Sequence, residues 1–166
     1  MAETTATALF TVGHGARTLE QLLAVLADGG IARVADVRRY PGSRRHPQFG
    51  RAALEESLPA SGVRYEWWGD DLGGRRKPVE PSRHPEWRDP SFRAFADHMD
   101  TPEFAGALDR LLAGAAAVPT AIMCAETLWW RCHRRLIADA LVARDTEVVH
   151  LLDVGKRQAH PESLGG

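Results

Sequence analysis

Residues 9–37 read LFTVGHGARTLEQLLAVLADGGIARVADV, and this stretch decides the fold. Leu9-Phe10-Thr11-Val12 is a short apolar run rich in strand formers, closed by Gly13-His14-Gly15. Thr18 is a helix N-cap, and Gln21 three residues later completes a capping box. Leu19, Leu22, Leu23 and Leu26 then share one helical face, and Gly29-Gly30 stops the helix. Residues 31–37 form a second strand, apolar enough to be buried. Strand, helix and strand in this order require a crossover connection and parallel pairing.

The same alternation continues to the C-terminal side. Helix is expected over 52–58, ending near Pro59, and strand over 63–68. Ser91 caps a short helix running to Met99, and Thr101-Pro102-Glu103 opens another with Pro at its first position. Strands over 119–124 and 147–152 flank a helix over 132–143. Residues 69–90, dense in Gly, Pro and Arg, are too long for a plain connection, and such loops are functional or disordered. The expected fold is α/β: one three-layer, Rossmann-like domain with a mostly parallel sheet of about five strands covered by helices on both faces. Its core spans about residues 8–153, and 154–166 form a loosely held tail. Ligands of such sheets bind beyond the carboxyl ends of the strands.

Composition narrows the class. The chain has 166 residues, 44% hydrophobic and 26% charged, the proportions of one globular domain. No apolar stretch approaches the ~20 residues of a membrane span, and the first ten residues lack the marks of a secretion signal. Membrane, collagenous, disordered and disulfide-rich secreted classes are excluded, leaving a cytoplasmic protein as the expectation. The net charge of −1 conceals three basic groups. Residues 33–51 carry six arginines against Asp36 alone, and further groups fall at Arg75-Arg76-Lys77 and at Arg131, Arg134 and Arg135. Arginine forks suit phosphate or carboxylate, so an anionic small molecule or nucleic acid is the expected partner; a solvated surface is the plain alternative.

The polar residues at the strand ends are the candidates for chemistry. Gly13-His14-Gly15-Ala16-Arg17 can cradle an anion at a helix N-terminus, with His14 as donor or acid/base, though it matches no dinucleotide or P-loop spacing. The plain reading is a tight turn with a hydrogen-bonded histidine. Asp36 either pairs with Arg38 or activates water. Ser43, Arg44, Gln48 and Phe49 lie in a stiffened basic loop where Phe49 can stack on a base. Adjacent Trp67 and Trp68 point to opposite faces of their strand, which puts one in the core. Gly73-Gly74 permits close backbone approach to a ligand.

Cys124-Ala125-Glu126 and Cys132-His133-Arg134 admit three readings. Glu126 can act as general base or stabilise a cation-like transition state beside His133 and Arg134. Cys124 can be a nucleophile at a strand end, or simply a small buried hydrophobe. Cys124, Cys132 and His133 can contribute to a metal site, which lacks a recognised zinc spacing. Glu126 is placed first, Cys124 second and metal last; a cofactor is otherwise unspecified. A Cys124–Cys132 disulfide is disfavoured in a reducing compartment.

Over about residues 10–152 the chain resembles the bacterial family catalogued as domain of unknown function 488. The resemblance rests on Gly13-His14-Gly15-Ala16-Arg17, Asp36-Val37-Arg38, Pro41-Gly42-Ser43-Arg44 and Pro47-Gln48-Phe49. It extends to Leu72-Gly73-Gly74, Cys124-Ala125-Glu126 and Cys132-His133-Arg134. Gly15 stands where the family commonly has Ser, and Trp129-Trp130 where smaller or polar residues are usual. The family name implies a shared site and no particular reaction. The residues themselves point to a hydrolase of a nucleotide or nucleic acid, with N-glycosidic cleavage as the specific form. The alternatives are a non-catalytic nucleic-acid-binding module and a thiol enzyme using Cys124 on a phosphate or sulfur substrate.

Overall fold

The computed structural model describes residues 8–42 and 44–161. The elements in chain order are β1 (Ala8–Gly13), α1 (Leu19–Asp28), β2 (Arg33–Asp36), α2 (Arg51–Ala60), β3 (Arg64–Trp67), α3 (Gly69–Leu72) and α4 (Pro90–His98). They continue with α5 (Pro102–Ala117), β4 (Thr120–Cys124), α6 (Arg134–Val142), β5 (Glu147–Asp153) and β6 (Lys156–Ala159). The sheet order is β3-β2-β4-β1-β5-β6, parallel throughout except for β6 against β5.

Strand alternation divides the core between two faces. Along β4, Ile122 and Cys124 join a cluster with Phe95, Leu108, Leu111 and Ile137 of α4, α5 and α6. Ala121 and Met123 join the opposite cluster with Leu22, Leu26, Leu54 and Leu58 of α1 and α2. Three layers result, as the alternation of strand and helix requires. Among the described residues, no helix is long and apolar enough to cross a membrane.

Local chemistry sets the helix starts. Thr18 accepts from the Gln21 N–H while the Gln21 side chain accepts from the Thr18 N–H, the full capping box. Thr101 caps α5 through the Phe104 N–H. At α4 the cap is Asp89 rather than Ser91: its Oδ1 accepts from the Ser91 and Phe92 N–H groups, and Pro90 takes the first helical turn.

Two further expectations are corrected. The sheet has six strands, because residues 156–159 of the expected tail pair with β5 through a turn at Gly155, whose φ is +72°. The side chains of β6 are exposed, so no apolar alternation marks it. Its anchor is polar: His160 is buried, with Nδ1 2.9 Å from His150 Nε2 and Nε2 2.6 Å from Asp139 Oδ1. Neither Trp67 nor Trp68 is fully buried, because β3 is an edge strand. Trp67 donates to the Arg38 carbonyl, and Trp68 packs partly on the α5 side. The long 69–90 segment begins with the one-turn helix α3 and returns to the strand ends.

β1 and β4 are neighbours whose following connections run to opposite sides of the sheet, to β2 and to β5. A crevice opens at such a switch point.

Candidate functional site

A cleft of about 730 Å³ occupies the carboxyl ends of β1, β2 and β4. His14, Arg38, Gly74, Cys124, Glu126 and His133 line it, as do Arg39, Tyr40, Arg45, Arg75, Phe92 and Arg131. Residues far apart in sequence therefore share one hollow.

His14 is held by its backbone and its ring. Its N–H donates to the Cys124 carbonyl at 3.0 Å, tying the ends of β1 and β4. Nδ1 lies 2.9 Å from the Gly15 carbonyl, so Nδ1 carries the proton and Nε2 faces Arg38 Nη1 at 3.3 Å as an acceptor. Burial pushes its pKa down to about 4 against the Gly15 bond, and the Arg38 charge pushes the same way. The neutral ring lies 4.4 Å above Phe49. His14 thus orients Arg38.

Asp36 lies behind the cleft wall and is fully buried. Its Oδ1 accepts from Arg38 N–H and Nε, and its Oδ2 from Arg38 Nη2 at 2.7 Å and the Tyr65 hydroxyl at 2.5 Å. With both oxygens engaged, the arrangement is the ion pair rather than a water-activating base. Burial, reinforced by the Asp36 carboxylate, raises the Tyr65 pKa and keeps its hydroxyl protonated.

Several expected anion binders serve the scaffold instead. Arg17 donates to the carbonyls of Gly13 and Leu152, bridging β1 and β5. Gln48 donates to the Arg17 carbonyl, and Phe49 is wholly buried, out of reach of a stacking base. Arg45, rather than Arg44, lines the cleft; Ser43 lies outside the described residues. Gly73 is packed on Arg39 and the Gly69 carbonyl, while Gly74 reaches the cleft beside the His133 ring. Arg134 is buried, with Nη2 donating to the Glu126 and Thr127 carbonyls at 3.1 Å each. It holds the loop that carries Glu126 from behind, through two loop carbonyls.

His133 Nε2 donates to the Val37 carbonyl at 2.7 Å, and burial lowers its pKa to about 4. That bond fixes the tautomer with Nδ1 unprotonated, and Cys124, Cys132 and His133 do not bring three ligand atoms within 4.8 Å of one another. The two thiols are free, with Sγ atoms 2.9 Å apart. Among the described residues, the group of three ligand-type side chains within 4.8 Å is instead His84, Asp97 and Asp100, none of which lines the cleft. The His84–Asp100 bond and those that Asp97 accepts from Ser82 and the Arg83 N–H fasten the 82–84 segment to α4 and the turn that follows it.

The family described as "Domain of unknown function DUF488" matches residues 18–141. The chain belongs to the DUF488 family. The match includes every strand-end motif of the cleft except the 13–17 turn, which precedes it. Searches of curated proteins and of solved structures return no match.

In this DUF488 chain the cleft is electropositive although the whole chain is not. Arg38, Arg39, Arg45, Arg75 and Arg131 line it against two carboxylates, Asp89 and Glu126. Arg38 is neutralised by Asp36, and Asp89 is engaged in capping α4. Glu126 is half-buried, and its Oε1 accepts from the Leu128 N–H at 3.3 Å. Arg39, Tyr40, Arg75 and Arg131 line the cleft outside any strand-end motif. Arg39, Arg75 and Arg131 belong to the three basic groups visible in the sequence, and Arg75 sits at a positive φ of 57°. Tyr65 gave no signal, since only the β2–β3 register brings it beside Asp36.

Proposed function

We propose that this DUF488 protein is a hydrolase of a nucleotide or nucleic acid, acting in the strand-end cleft, with N-glycosidic cleavage as its reaction. The observation that carries the reading is the meeting of one carboxylate, Glu126, with an arginine-lined wall in a single cleft. Arg39, Arg45, Arg75 and Arg131 supply planar forks for phosphate. Tyr40, which is exposed, and Phe92 offer aromatic faces for a base. In the reaction the bond from the sugar anomeric carbon to the base nitrogen breaks, the base leaves with the bonding electron pair and takes a proton from solvent, and positive charge develops on the sugar. Glu126 stabilises that charge and accepts a proton from the attacking water. Arg38 is fixed by Asp36 and faces the same space as a preset donor.

Incubation with nucleosides, nucleoside phosphates and single-stranded oligonucleotides, followed by chromatography for released base, tests this reading. Release of base from at least one phosphate-bearing substrate is expected. Salt-sensitive binding with no product across the panel overturns it in favour of a non-catalytic binding module.

A further inference from the structure

We propose that Cys124 and Cys132 are a redox-active dithiol in the wall of the cleft, oxidised to an intramolecular disulfide by hydroperoxides and restored by dithiols. Cys124 ends β4 and Cys132 stands just before α6, and both line the cleft. Their Sγ atoms lie 2.9 Å apart, so small movements of side chains bring them to bonding distance. A merely structural Cys124 needs apolar neighbours alone. Here Cys124 packs against the apolar cluster on one side, while its Sγ faces the Glu126 carbonyl at 3.5 Å and a second thiol, whose Sγ accepts from the Arg134 N–H at 3.4 Å, with the buried Arg134 guanidinium acting on it.

These groups favour a thiolate. Burial works against ionisation of Cys124, but the hydrogen bond from Cys132 and the Arg134 charge outweigh it and bring the pKa down to about 7. Cys132, bonded to that thiolate and buried, is pushed up and keeps its proton. One attacking thiolate beside one proton-bearing thiol is the arrangement a dithiol needs.

The Cys124 thiolate attacks one oxygen of the hydroperoxide: an S–O bond forms, the O–O bond breaks, and the leaving alkoxide takes a proton as alcohol. Cys132 sulfur then attacks the sulfenic sulfur of Cys124. The S–S bond forms, the S–O bond breaks, and hydroxide leaves as water with the Cys132 proton. Two thiols lose two electrons and one hydroperoxide gains them. An external dithiol reverses the change by exchange through a mixed disulfide. Oxidation crosslinks the two ends of the 125–131 loop, which carries Glu126 and Arg131.

Peptide mapping of the folded protein after brief hydrogen peroxide treatment tests this directly, without any variant. The expected product is one Cys124–Cys132 linked peptide pair, with both thiols lost together and both recovered with dithiothreitol. In Cys132→Ser, Cys124 is expected to stop at sulfenic acid, trapped by dimedone. In Cys124→Ser, Cys132 is expected to retain its thiol. Wild-type thiols that both remain alkylatable, disulfides formed only between molecules, or equal oxidation of Cys132 in Cys124→Ser would overturn the proposal.

Discussion

Asp36 accepts four hydrogen bonds, three from Arg38 and one from Tyr65, and this defines what a single residue does for the site. Removing its charge leaves a buried guanidinium unpaired, so Asp36→Asn is expected to cost about 3–5 kcal/mol in urea unfolding. A change within error of wild type would reject Asp36 as the anchor of Arg38. Histidines add a pH dependence. Burial holds His14 and His133 near 4 and His150 near 3, below the ordinary value of 6.5. Between those values the unfolded chain binds protons that the folded chain refuses. Stability is therefore complete above about pH 6.5 and falls as pH drops towards 4. At about pH 5 the expected loss is on the order of 1–2 kcal/mol per histidine. Urea midpoints measured from pH 7 down to pH 5 check this; a flat profile contradicts it. At this scale the sequence announced the Asp36–Arg38 pair as one of two readings. It could not tell which, because the second partner, Tyr65, arrives through strand register.

At the scale of elements, β1, α1 and β2 were legible because their periodicities and caps agree. Gly13 shows how the elements constrain one another: a Cβ there meets the Glu126 carbonyl oxygen at 2.0 Å. Gly13→Ala must therefore displace the loop after β4. The expected cost is about 1–3 kcal/mol in stability, and thermal unfolding of the variant measures it. A Gly13→Ala protein as stable as wild type would show that the β1 and β4 ends are not in that contact. β6 was illegible for a physical reason. Its side chains are solvated, and its hold on the fold comes from backbone pairing and from the His150–His160–Asp139 chain, in which the His150 ring stacks on Trp129 at 4.3 Å. Hydrogen bonds between distant histidines leave no periodic trace. The α4 cap was misplaced by two residues because Ser91 and Asp89 are both good caps, and Pro90 decides between them.

At the scale of the whole molecule, the sheet gathers the strand ends and thereby the charges. The rim location of the site was readable from the alternation of elements, since ligands of parallel sheets bind there. Which arginines face inward was not. Arg17 is spent on strand-end carbonyls and Arg134 on loop carbonyls, while Arg39, Arg45, Arg75 and Arg131 turn to the cleft. Only packed coordinates distinguish a guanidinium that fastens backbone from one that awaits an anion. If the four cleft arginines hold phosphates, replacing Arg45 or Arg131 with Gln lowers the salt slope of oligonucleotide binding by about 0.7–0.9 per residue. Fluorescence anisotropy at graded salt reads that slope, and an unchanged slope removes these arginines from the binding surface.

The measurement closest to the central claim compares wild type with Glu126→Gln on the same nucleotide and oligonucleotide panel, scoring both binding and base release. The account predicts unchanged affinity with turnover reduced about 10²–10⁴-fold. Turnover equal to wild type in Glu126→Gln would contradict it.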